Sequence, residues 1–126
     1  MRTRRGFTLL ELMIVVLIIG ILATIAIPRF GATKDKAYVA MMKSDLRNLV
    51  TAQESYLVDY AAYSTTASLL TIIVSPGVTI TIGGGANATG WDATAKHNAT
   101  SKTCGIYVGT GTPTSLGGQP GEAVCT

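Results

Sequence analysis

Two patterns of apolar positions divide the first half of the chain. From Phe7 to Ile27 the sequence reads FTLLELMIVVLIIGILATIAI, 21 residues with one charge, Glu11. Its apolar side chains run all round a helical wheel, the pattern of a helix in lipid or in a bundle of its own kind. As a helix the stretch would be about 31 Å long, matching a hydrocarbon core of about 30 Å. From Phe30 to about Tyr60 the pattern becomes amphipathic. Tyr38, Met42, Leu46, Leu49, Gln53, Tyr56 and Tyr60 recur at three- and four-residue steps, while Lys43, Arg47, Asn48 and Glu54 fall mostly elsewhere on the wheel. No Pro or Gly interrupts Ala32–Tyr60. Together the stretches predict one helix of roughly 54 residues, about 80 Å long. Its first half suits a membrane and its second half backs a globular part.

After Tyr63 the composition shifts to Ser, Thr, Gly and Ala. Ser75-Pro76-Gly77 reads as a turn. Val78-Thr79-Ile80-Thr81-Ile82 alternates like a half-buried strand and ends at Gly83-Gly84-Gly85. Further strands are expected at Gly90–Lys96 and Thr103–Val108, and Glu122–Thr126 is expected to return to the sheet with Cys125. The Gly/Pro-rich stretch Gly109–Gly121 reads as a surface loop. The fold class predicted is α+β: a long N-terminal helix, transmembrane in its first half, packed on a small antiparallel sheet of three or four strands. Roughly 66 residues remain for the globular part, which is small for an independent core.

Three residues disturb the apolar helix. Glu11 places an ionisable group inside the apolar run, where it costs a few kcal/mol and ordinarily has a partner. Its alternative is an interfacial side chain that snorkels to water. Gly20 lowers helix propensity by about 1 kcal/mol relative to Ala. Pro28 cannot donate to the Thr24 carbonyl and is expected to kink or loosen the helix. A small residue, Gly6, stands before the apolar run, whereas a secretory signal has its small-residue cleavage site after it.

Charge alters the picture little. Ten basic residues face seven acidic ones in the 126-residue chain, but Arg2, Arg4 and Arg5 precede Gly6. Without them seven basic residues face seven acidic ones, and no basic stripe with interleaved aromatics points to nucleic acid. Arg2, Arg4 and Arg5 ahead of the span favour a cytoplasmic N-terminus. Arg29, Lys34 and Lys36, partly offset by Asp35, oppose them from the other side. Cys104 and Cys125 lie past the apolar segment without metal-ligand spacing. They read as a disulfide formed in an oxidising compartment, with two free thiols as the alternative. The bridge would close a loop of about 22 residues and contribute roughly 3 kcal/mol.

No catalytic constellation emerges. His97 has no nucleophile–acid set around it and is expected to be solvent-exposed. Asp92 and Glu122, the only acids beyond Tyr60, are too few for calcium. No metal, no cofactor and no enzymatic activity is predicted. Asn87-Ala88-Thr89 and Asn98-Ala99-Thr100 match the N-glycosylation pattern, whose use depends on the host. The spaced aromatics Phe7, Phe30, Tyr38, Tyr56 and Tyr60 are explained by packing.

A short basic leader ending in Gly6, then Phe7, Thr8, Leu9 and Glu11, then a long apolar helix with Pro28, resembles a type IV pilin precursor. The resemblance covers residues 1–30 and extends more loosely to about residue 60. It implies a leader (1–6) cut by a prepilin peptidase between Gly6 and Phe7, with N-methylation of Phe7 by the same enzyme. It implies a transmembrane and filament-core half (7–30), an amphipathic half (31–62) and a small β-rich head with a C-terminal disulfide loop (63–126), the pilin fold. Glu11 would meet the terminal amine of a neighbouring subunit, marking register because a misplaced subunit leaves both charges unpaired. The region from Gly20 to Pro28 would lose helical order on assembly. The implied partners are further copies of the chain as a homopolymer, the inner membrane, the peptidase/N-methyltransferase, and an assembly platform with its ATPases. DNA is a candidate ligand only of the assembled filament. The chain would sit in the inner membrane before assembly and on the cell surface after it. Adhesion, twitching motility and DNA uptake are roles the family implies. The alternatives are a type II secretion pseudopilin and, from another class, a membrane-anchored periplasmic enzyme or sensor.

Overall fold

The computed structural model describes residues 6–83, 85–111 and 116–126. The leader positions Met1–Arg5, Gly84 of the glycine triplet, and residues 112–115 of the expected surface loop lie outside the described residues. The element order is α1 (Leu9–Tyr60), a 3-10 turn (Ala67–Leu69), β1 (Val78–Ile82), β2 (Gly90–His97), β3 (Thr103–Gly109) and β4 (Val124–Cys125). The chain divides into two compact units, Met1–Lys34 and Asp35–Thr126, and α1 contributes to both.

In the first unit the apolar residues of α1 are exposed all along the helix, from Leu9 to Phe30. This part of α1 is long and apolar enough to cross a membrane. The helix is continuous through Gly20 and Pro28.

In the second unit the amphipathic half of α1 buries Met42, Asp45, Leu46, Leu49 and Gln53. These fall at steps of three and four residues, so they share one helical face. The strands form an antiparallel sheet in the order β1-β2-β3-β4. The fold is therefore the expected α+β arrangement, a long N-terminal helix whose amphipathic half packs on a small antiparallel sheet. Within this unit the strand period of two sorts the residues: Val78, Ile80 and Ile82 face inward, and Thr79 and Thr81 face outward.

The register explains how the helix fits. Ala93 pairs with Ile82 on one side and Ile106 on the other, and Ala95 pairs with Ile80 and Cys104. The inward row of the central strand β2 is Trp91, Ala93, Ala95 and His97, all buried. Two small residues in the middle leave volume for Met42, Leu46 and Leu49, which join the same core. The bulky ends of the row meet aromatic partners. Trp91 lies 6.3 Å from Tyr63, tilted, and His97 stacks on Tyr38 of α1 with ring centroids 4.0 Å apart.

His97 corrects the sequence expectation of exposure, being only 7% exposed. The register places it on the inward face of β2 opposite Val78, and its Nδ1 accepts the Ala99 amide at 3.0 Å. Tyr60 departs in the other direction. It continues the three-and-four pattern but is exposed, stacked on Tyr56 at 4.3 Å. The helix ends there, and Ala61 follows with φ 55.

The segment between α1 and β1 is held by two polar side chains, Gln53 from the recurring stripe and Asp45, which the stripe does not include. Gln53, fully buried, donates from Nε2 to the Ser64 carbonyl and accepts the Ser64 amide at Oε1, both at 2.8 Å. Two turns earlier on the helix, Asp45 accepts the Ser75 amide at 2.9 Å and the Ser75 hydroxyl at 3.0 Å. Each side chain stands in for a strand neighbour, satisfying backbone groups that would otherwise be buried unpaired. Ser75-Pro76-Gly77-Val78 then turns into β1. The Val78 amide bonds the Ser75 carbonyl at 3.0 Å, and Gly77 takes φ 82, the position of a type II turn that favours glycine.

Two outcomes follow from this packing. Gln53→Met removes both partners of the buried Ser64 backbone and should destabilise the chain by about 1–3 kcal/mol. The guanidinium midpoint in detergent checks it, and an unchanged midpoint would show the clasp to be idle. Tyr63 supplies the second. Burial, then its hydrogen bond to the Glu54 carboxylate and that group's charge, push the Tyr63 phenol above its usual 10.0. The folded chain holds this proton more tightly than the unfolded one. The stability it contributes is complete below the usual value and is lost as pH rises beyond it. Tyr63→Phe should therefore flatten the alkaline limb of a stability–pH profile above about pH 10, and a profile identical to wild type would contradict this.

Candidate functional site

The start of α1 is built by Thr8 and Glu11. Thr8 precedes the first helical residue, Leu9, and Glu11 is the third. The Glu11 amide donates to the Thr8 hydroxyl oxygen at 3.2 Å. In return Glu11 Oε2 accepts the Thr8 amide at 2.9 Å and the Thr8 hydroxyl at 3.0 Å. This reciprocal pair is a capping box, which satisfies two of the amides that a helix N-terminus leaves free. The carboxylate also lies at the positive end of the helix dipole. The T-x-x-E spacing is visible in the sequence. It gives Glu11 a partner within its own chain.

Phe7 stands just ahead of this cap and is 86% exposed. Gly6 is exposed too, and a Cβ there would meet nothing within 4 Å. No packed side chain therefore flanks the Gly6–Phe7 bond among the described residues.

Farther along the helix, hydroxyls bond back to earlier carbonyls on either side of Pro28. Thr24 Oγ1 donates to the Ile21 carbonyl at 2.7 Å, and Thr33 Oγ1 to the Arg29 carbonyl at 3.0 Å. Such back-bonding slightly weakens or bends a helix. It adds to the amide that Pro28 lacks.

At the other end of the chain Cys104 and Cys125 form a disulfide. They face each other directly across β3 and β4, which brings their Cα atoms to 4.0 Å. The described part of the loop between them is tied to β3 at Tyr107. Its carbonyl accepts the Gly121 amide at 2.7 Å and its hydroxyl donates to the Gly118 carbonyl at 3.3 Å. Close to the sheet, Gly109 has φ 60, and a Cβ there would run into the Thr89 carbonyl. Among the described residues no group of three potential metal-ligating His, Cys, Asp or Glu side chains comes together. Asn87 of the first glycosylation pattern is engaged in its own turn, its Oδ1 accepting the Thr89 amide at 2.8 Å.

Comparison with known proteins places these features. Residues 1–27 match the family described as the prokaryotic N-terminal methylation motif. The type II secretion system core protein G of Klebsiella michiganensis is 41% identical over 78 residues, 61% of this chain and 55% of that protein. Its counterpart in Pseudomonas aeruginosa is 38% identical over 73 residues, 58% of this chain and 51% of that protein. The type IV major pilin protein PilA of Myxococcus xanthus is 52% identical over 60 residues, 48% of this chain and 27% of that protein. The chain spans about half the length of the type II secretion relatives it matches.

The capping box generates one expectation. Thr8→Ala removes the cap and should cost about 1 kcal/mol of local helix stability. Amide hydrogen exchange in detergent should then be faster over residues 9–13 and unchanged in the sheet. Equal protection in both variants would mean that the cap does not hold the helix start.

Proposed function

We infer that this chain, a member of the type IV pilin and pseudopilin superfamily, is a structural subunit of a type IV pilus. The observation that carries the reading is an apolar helix with its large hydrophobic side chains exposed, entered through a terminus capped by Thr8 just after Phe7 and matched by the methylation motif. Such a surface is stable in lipid or among copies of itself. Removal of residues 1–6 by a prepilin peptidase frees an amine at Phe7, which the same enzyme methylates. N-methylation leaves that amine charged. Subunits then leave the membrane, bundle their apolar halves and display their heads outside.

Glu11 has two successive partners in this scheme. Before assembly its carboxylate is held by Thr8. During assembly the amine of a neighbouring Phe7 approaches, and opposite charges in a low-dielectric bundle attract far more strongly than in water. A subunit out of register loses this pairing and leaves a buried amine unpaired. Pro28 and the hydroxyl back-bonds around it make Gly20–Pro28 the segment that yields when helices pack in the filament. Motion of the polymer belongs to partner ATPases. A structural role agrees with the relative named as a major pilin.

A second reading, a pseudopilin of type II secretion, is favoured by one observation. The secretion-system relatives align over more of this chain, 61% in Klebsiella michiganensis against 48% for the pilin. The intact mass of the protein in sheared surface filaments separates the readings. A disulfide-bonded chain starting at methylated Phe7 in those filaments is the pilus outcome. Processed chain confined to the membrane fraction supports the pseudopilin, and unprocessed chain overturns both. Glu11→Ala should leave the precursor made and cut yet reduce filaments severely, and normal filaments from it would remove the charge-pairing step.

A further inference from the structure

The most exposed apolar side chain among the described residues of the head lies on the segment clasped by Gln53 and Asp45. Ile73 is 91% exposed and Leu69 61%. Both line a groove of about 630 Å³ between this segment and the last turns of α1. The stacked rings of Tyr56 and Tyr60 form part of its helix wall. Asp59 is the one charged residue in its lining. The nearby Glu54 is already engaged by the Tyr63 hydroxyl. The segment's ends are pinned at Ser64 and Ser75, so the exposed Leu69 and Ile73 are presented by a braced strap.

We propose that this groove receives a second copy of the chain, through the α1 face formed by Ile27, Phe30 and Lys34. The proposal rests on the filament reading above. These three residues follow steps of three and four, so they share one helical face. All three are exposed, Ile27 by 71% and Phe30 by 68%. The face is apolar with one cation, and the groove sets an apolar wall of Leu69, Ile73 and the tyrosines beside Asn48, Thr51 and Ser55, with Asp59 as its charge among the described residues. Ile27 and Phe30 meet Leu69, Ile73 and Tyr56, while Lys34 meets Asp59. Complementary charge of this kind sets register between partners more than it sets affinity.

The contact also fixes a distance. Lys34 and Asp59 are 25 residues apart in sequence. Along a helix that is an axial stagger of about 37 Å between the two copies. Pairing of the Phe7 amine with Glu11 implies a stagger of only about 6 Å. The groove therefore engages a different neighbour from the one that pairs with Glu11. The filament is tied at two axial intervals, one in the apolar core and one beneath the heads.

Carbodiimide coupling of wild-type filaments, followed by peptide mass spectrometry, tests this. The expected product is an amide between Lys34 and Asp59, which their separation along α1 makes intermolecular. Asp59→Lys and Lys34→Asp, each at an exposed position, should lower the yield of sheared filaments roughly tenfold, because like charges are then juxtaposed. The double exchange should restore most of that yield. Filaments without the Lys34–Asp59 link, together with normal assembly of Asp59→Lys, would overturn the groove and leave the filament reading intact. Single variants that fail with no recovery in the double exchange would overturn it as well. A wild-type chain that is processed and never polymerises would overturn the filament reading, and the groove with it.

Discussion

An apolar helix surface that the chain does not cover itself is the constraint on which the rest depends. From Leu9 to Phe30 large hydrophobic side chains are exposed all round α1. Covering that area is favourable by about 25 cal/mol per Å², so water is the one surrounding the segment avoids. A bilayer or a bundle of like helices is the kind of surrounding that would meet the need. Thr8 satisfies the Glu11 carboxylate, which is thus partnered within its own chain.

The head is small, and it compensates by economy of packing. Ala93 and Ala95 sit under the helix residues Met42, Leu46 and Leu49, and aromatic contacts close both ends of the row. The sheet is kept at four strands by β4, a two-residue strand joined to β3 both by its register and by the disulfide. A strand that short has little pairing of its own, and the covalent bridge limits the freedom it would otherwise regain on unfolding. Gln53 and Asp45 do for the α1–β1 connection what the bridge does for the chain end. Buried hydrogen bonds to backbone hold a segment with no regular structure beyond one short turn.

Much of this was legible in the residues. A change from an all-round to a one-sided apolar pattern marked the two halves of α1, because the 3.6-residue period is set by backbone geometry. Alternation marked β1, and the Ser75-Pro76-Gly77 turn was readable because Gly77 takes a φ that other residues disfavour. The cysteine pair was readable from composition. Harder to see were Asp45, His97 and Tyr60. Each breaks the equation of apolar with buried. A polar side chain is buried where a particular backbone group or ring waits for it, and that partner lies far off in sequence, 30 residues away for Asp45 and Ser75.

The sequence by itself therefore determined the elements and the apolar helix, since local periodicity, turn chemistry and the absence of charge act over a few neighbouring residues. Tertiary structure alone decided which polar groups became core and which tyrosine stayed outside. It also decided that Leu69 and Ile73 would stand beside Asp59 in one groove. Those outcomes depend on strand register and on where a helix ends against a sheet. Both are settled only when residues distant in the chain compete for the same buried volume and the same hydrogen bonds.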